Sequence, residues 1–120
     1  QLKNKDGNFL QPDDDNFKAA AANAEWTKTP GFGVVLTDQA GKASWPITGV
    51  SYILMHKQQA DANKGKEVIK FFDWAFRSGD QLAEQLDYVP MPQTVLKAVE
   101  DSWKQIVGPD GKPAWDGQGS

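Results

Sequence analysis

The segment Ala43-Ser44-Trp45-Pro46-Ile47-Thr48-Gly49-Val50-Ser51-Tyr52-Ile53-Leu54-Met55-His56 decides the fold of this 120-residue chain. Read as a strand, it sends Val50, Tyr52, Leu54 and His56 to one face and Ser51, Ile53 and Met55 to the other, because successive strand side chains alternate. Both sets turn apolar towards the end. That predicts burial on two sides, as in a central strand covered by helices. Pro46 has no N–H to give a ladder, so pairing is expected only after it.

On the amino side of this segment, residues 2–5 and 8–11 flank Asp6-Gly7 and read as a hairpin, with Gly7 supplying positive φ. Pro12 and Asp13-Asp14-Asp15 open a helix that runs to Ala24, with Phe17, Ala20, Ala21 and Ala24 on its inner face. Residues 26–41 read as loop around the apolar patch Val34-Val35-Leu36. Gly31-Phe32-Gly33 is followed by no Gly-Lys-Ser/Thr, so it reads as a turn and not as a phosphate loop.

On the carboxyl side, residues 58–63 lead into the strongest helix. Its Val68, Phe71, Phe72, Ala75 and Phe76 recur as one expected core stripe, with Ile69 and Trp74 off its centre. Gly79 is placed as a left-handed stop. A short helix over 80–86 should turn Leu82, Ala83 and Leu86 inward. Residues 87–92 are expected to be extended, since a residue before proline is pushed out of the α region. A last helix over 92–107 buries Val95, Leu96, Val99, Trp103, Ile106 and Val107, and pairs Glu100 with Lys104 on its surface. Trp115 docks the tail, and residues 117–120 should fray.

Sixteen acidic residues against thirteen basic ones leave a net charge of -3. This balance argues against a nucleic-acid groove, which needs clustered cations. Cysteine is absent, which excludes disulfides, thiolate nucleophiles and Cys-based zinc sites while leaving the compartment open. No apolar run approaches the roughly 18 residues of a membrane span. The first residues carry neither an initiating Met nor a signal-peptide core, and read as a start inside a longer protein.

His56 is the one imidazole, and no second His, no Cys and no carboxylate at ligand spacing accompanies it. It reads as structural. The Asp13-Asp14-Asp15 run reads as a solvated helix start and not as a metal loop. No serine sits in a nucleophile elbow. Trp26, Trp45, Trp74, Trp103 and Trp115 lie within or beside apolar patterns and read as packing, not as a ligand platform. No catalytic residue, metal or cofactor is therefore assigned. Taken alone, these residues fit a self-contained, non-catalytic interaction module, with an enzyme the weaker reading.

Ala43-Ser44-Trp45-Pro46-Ile47-Thr48, the run Ile53-Leu54-Met55-His56-Lys57, and Glu67-Val68-Ile69-Lys70-Phe71-Phe72-Asp73-Trp74-Ala75-Phe76 resemble the carboxy-terminal part of periplasmic phosphate-binding proteins, the solute receptors of ABC phosphate importers. Leu86-Asp87-Tyr88, Trp103-Lys104 and Gly111-Lys112-Pro113 continue the resemblance. So do Asp6-Gly7, Pro12, Asn16-Phe17, Ala19-Ala20-Ala21 and Trp26-Thr27-Lys28-Thr29, and essentially the whole chain is covered. The resemblance implies part of a two-lobed α/β fold of the type 2 periplasmic-binding-protein class, helix-rich after residue 57. It implies a hinge crossing near 50–54, with residues 1–51 completing the second lobe and residues 52–120 returning to the first.

The same resemblance implies a periplasmic receptor whose full-length form takes inorganic phosphate and docks on the importer's membrane subunits. In that family the anion is held by Thr/Ser-bearing turns at helix starts, an Asp acceptor and an Arg clamp, all from earlier segments. No residue here matches them, so no ligand-binding residue is assigned. The acidic helix start at Asp13 would repel an anion, and the fragment is expected to bind phosphate poorly alone. Apolar surface meant for absent segments should be exposed, favouring an oligomer or strand exchange.

Overall fold

A computed structural model describes residues 1–117. The hairpin forms as expected: β1 (Leu2–Lys3) pairs antiparallel with β2 (Phe9–Leu10), and Gly7 turns at φ 86°. Buried Asn4 fixes it to the rest of the chain. Its amide donates to the carbonyls of Gly41 and Lys42 at 3.0 Å and of Ser44 at 3.3 Å, while its Oδ1 accepts the Asn8 N–H at 2.9 Å.

Helix α1 (Asp14–Asn23) starts where the Asp13 carboxylate accepts the Asn16 N–H, and it buries Ala20 and Ala21. Two 3₁₀ turns, Trp26–Lys28 and Pro30–Phe32, follow. The remaining helices are α2 (Ala62–Ser78), α3 (Asp80–Gln85) and α4 (Gln93–Trp103). Two apolar clusters hold them. Ala21, Trp26, Leu36 and Val95 form the first; Ile69, Trp103, Ile106, Ala114 and Trp115 form the second. Val95 and Trp103 put α4 in both, and Val99 packs against each. Helix α4 is thus the spine. The expected docking of Trp115 is met, its ring edge-on to Trp103 at 6.0 Å.

The segment 43–56 forms no strand. Only its carboxyl flank finds a ladder, where Val107 donates to the Lys57 carbonyl and accepts from the Gln59 N–H, both at 2.7 Å. Trp45 is buried against Phe17, but Ile47, Tyr52, Ile53 and Leu54 are exposed, Leu54 at 92%. A strand needs a neighbour to pair with, and among the described residues none lies beside this run.

Helix α2 also differs in which face it buries. Gly65, Ile69 and Asp73 are covered, with Phe72 and Phe76 partly so, whereas Val68 and Phe71 of the expected stripe face outward. Leu82 and Leu86 are likewise exposed, although α3 packs on α2 and its Glu84 reaches Lys18 of α1 at 3.9 Å. Gly79 is right-handed (φ -95°), and it is glycine for another reason: a Cβ there would stand 2.4 Å from the Ala75 carbonyl oxygen.

A left-handed stop does follow the next helix, α3, at Asp87 (φ 60°), which also interrupts the expected extended run. The Asp87 N–H donates to the Glu84 carbonyl and the Tyr88 N–H to the Ala83 carbonyl, closing a Schellman motif. Glu100 and Lys104 do not pair. Lys104 donates to Asp101 and Glu100 accepts from Arg77. Helix α4 stops at Trp103, so Ile106 reaches the core from beyond the helix. Of the tail expected to fray, residues 118–120 lie outside the described residues. The radius of gyration, 16.2 Å, exceeds the about 14 Å of a compact chain this long. The molecule is long and thin.

Candidate functional site

The residues weighed for chemistry do not converge. His56 is exposed and packs in neither cluster, so the structural role expected of it is not seen. Gly31 turns at φ 64° inside a 3₁₀ turn, without a phosphate cradle. Among the described residues no group of three or more His, Cys, Asp or Glu could hold a metal, and no helix is long and apolar enough to cross a membrane. Trp26, Trp45, Trp103 and Trp115 are buried as packing. Trp74 is half-exposed beside Phe71, their centroids 6.0 Å apart.

An anion site needs helix-start N–H groups and a free cation. The α1 start is filled by Asp13, with Asp14 and Asp15 in the first turn. At α2, the Asp61 carboxylate accepts the Asn63 and Lys64 N–H groups at 2.9 and 3.2 Å. The α4 start has no side-chain cap. Beside it runs a groove of about 350 Å³ that includes Thr94 and Lys28, but Lys28 is paired with Glu25. The one arginine is also engaged: Arg77 Nε donates to Asp73 at 2.9 Å and its Nη2 to Glu100 at 3.3 Å, tying α2 to α4. Sequence reasoning passed over this network, although the i, i+4 spacing of Asp73 and Arg77 was legible.

What the chain does present is unpaired surface. Among the described residues, no peptide N–H from 47 to 56 and no carbonyl from 47 to 55 hydrogen-bonds to a protein group. After a bend at Pro46 and Ile47, the run over residues 48–56 forms no helix, strand, turn or bend. Its side chains tether it: the Tyr52 hydroxyl donates to the Phe32 carbonyl at 2.8 Å, Val50 packs on the first cluster and Met55 on the second. The second open surface is the outer face of α2 with α3, carrying Val68, Phe71, Trp74, Leu82 and Leu86. Surfaces of this kind mark places where other polypeptide belongs.

No family model matches the chain. Curated relatives do. A "Phosphate-binding protein PstS" of Pasteurella multocida (strain Pm70) is 46% identical over 115 residues, covering 95% of this chain and 33% of the relative. The protein of the same name from Haemophilus influenzae is 45% identical over 86% of this chain and 31% of its own length. One from Xylella fastidiosa (strain 9a5c) is 42% identical over 85% and 28%. The chain is homologous to part of the phosphate-binding protein PstS. It spans about a third of the length of the PstS relatives it matches. The resemblance read from residues 43–57 and 67–76, to a carboxy-terminal part of such a protein, agrees with these matches. The helix-rich architecture after residue 57 is compatible with a PstS-type fold.

Proposed function

We propose that the chain is the carboxy-terminal part of a periplasmic phosphate receptor that passes inorganic phosphate to the membrane subunits of an ABC importer. The observation that carries this is the 46% identity to a named phosphate-binding protein across 95% of the chain. The role is binding and not catalysis. Residues 1–51 complete one lobe and residues 52–120 return to the other, with the crossing at 50–54. The unpaired run, with Val50 in one cluster and Met55 in the other, supports that division. The α/β sheets of the two lobes then come mostly from residues beyond this chain.

The anion itself is held elsewhere in the receptor. Support comes from the carboxylates that cap the starts of α1 and α2 and from the pairing of the one arginine, which engage N–H groups and the guanidinium that an anion would otherwise use. Calorimetric titration of inorganic phosphate tests both statements at once. A full-length parent should bind tightly and the 120-residue chain should not. Tight binding by the short chain overturns the assignment of the site, whereas a parent that ignores phosphate overturns the receptor reading and returns the chain to the class of interaction modules.

A further inference from the structure

We infer that the seam between α4 and the Trp26 turn is a latch across the lobe crossing, whose making and breaking biases the angle between the two lobes. The inference rests on the division of the chain at 50–54 proposed above. Three members of the first apolar cluster, Ala21, Trp26 and Leu36, precede that division, and the fourth, Val95, follows it. All four are at most 7% exposed. Phe32 and Val34 pack on the cluster from one side of the division, Met91 and Val99 from the other. Trp26 is set in place by its own piece, since its indole Nε1–H donates to the Ala21 carbonyl at 2.7 Å. A second link crosses the same division, from Lys18 Nζ to the Glu84 carboxylate at 3.9 Å.

Helix α4 is fixed to the later piece. Its Trp103 belongs to the second cluster with Ile69 of α2, and its Glu100 accepts from Arg77 at 3.3 Å. A change of lobe angle therefore carries α4 with α2 as one body and is taken up at the seam. Parting the seam returns buried apolar surface to water, which opposes it. Beside the contact runs the groove of about 350 Å³, with Ala22 and Thr27 on one wall and Thr94 and Ala98 on the other. A contact with a gap along its edge is a geometry that rotation opens or shuts. Packed interfaces of this kind hold discrete arrangements and do not deform continuously. A contact made at one lobe angle and lost at another shifts the population between them, and with it the apparent affinity of any ligand that binds one angle better.

The test uses the full-length parent. Val95→Ala thins the seam; Met91→Ala does so more gently at its rim and replaces it where Val95→Ala fails to fold. In calorimetric titration the truncation should shift the Kd for inorganic phosphate by at least about threefold while circular dichroism stays unchanged. Ala22→Cys on α1 and Ala98→Cys on α4 both line the groove. Joined by a short thiol-to-thiol cross-linker, they should abolish the response to the truncation, because the seam can no longer part. A phosphate-binding parent whose Kd ignores the truncation overturns the proposal. So does a response that persists under the cross-link, which marks a general loosening of the fold. A parent that ignores phosphate overturns the receptor reading instead, and small-angle X-ray scattering then decides the seam by itself. There the truncation should change the parent's radius of gyration and the cross-link should restore it, and an unchanged radius overturns the latch.

Discussion

Helices α2 and α4 both carry clear apolar stripes, yet only α4 hides its own. Val95, Leu96 and Trp103 are buried and Val99 is partly so, because α4 lies between two clusters drawn from either end of the chain. Helix α2 has two apolar faces. One, led by Ile69 at 1% exposure, meets α4 and the docked tail; the other leaves Phe71 at 57% and Trp74 at 53%. Periodicity reports that a helix has a face to bury. It is silent on whether the cover belongs to the same stretch of chain.

The largest expected effect tests that contrast directly. Trp103→Ala removes a ring packed against Phe76 and Trp115 and should cost about 3 to 5 kcal/mol in urea unfolding. Phe71→Ala, on the open face, should stay within about 0.5 kcal/mol. Equal losses would break the distinction between the two faces. A full-length parent sharpens it. There Phe71 should have a partner, and the same Phe71→Ala change should then cost about as much as other large core truncations.

This contrast also explains how much was legible. The hairpin, the Asp13 cap, the existence of the four helices and the docking of Trp115 rest on local chemistry or on partners within the chain, and they appear as read, except that α4 ends at Trp103 and not near 107. The strand at 43–56 and the inward stripe of α2 were read with the same rules and differ, since their cover is not supplied by residues 1–117. Asp87 was missed for a different reason. Asp tolerates the left-handed region less well than Gly, so nothing in its residue type marked Asp87 as the left-handed end of α3. What selects glycine at 79 is its close approach to the Ala75 carbonyl, which no pattern of spacing reveals. Of the candidate surface, the apolar character and the exposure of some of it were legible; that the exposed part would be the 47–54 run and the outer face of α2 was not.

A smaller effect is expected where α2 and α4 are joined by charge. The Asp73 side chain is only 6% exposed, and Arg77 is its partner. Arg77→Ala leaves that carboxylate buried without a donor and should cost about 1 to 3 kcal/mol. Glu100→Ala removes only the outer half of the bridge, at a more exposed group, and should cost about 0 to 1 kcal/mol. If the two losses match, Asp73 draws its support from something other than Arg77, and the buried face of α2 owes less to charge than to Ile69.

The least effect belongs to the solvent side of α4, at Asp101. Its carboxyl is held below its ordinary value of 3.8, first by the hydrogen bond from Lys104, then by the charges of Lys104 and Lys97. Lys104 stands at 2.9 Å and Lys97 at 3.5 Å, all three side chains largely in solvent. A carboxyl whose folded pKa is depressed adds stability above its unfolded pKa and loses it as pH falls through the folded value. The loss is thus confined to strongly acid solution, and Asp101→Asn at neutral pH should barely move the unfolding midpoint. The direct readout is an NMR titration of the side-chain carboxyl. Lys104→Met should raise its pKa towards the ordinary value more than Lys97→Met does, and added salt should raise it in the wild type by screening. If Lys97→Met has the larger effect, the pairing geometry along α4 is misassigned. If Asp101→Asn destabilises as much as Arg77→Ala, the solvent face of α4 matters as much as its buried one, and the contrast with α2 fails.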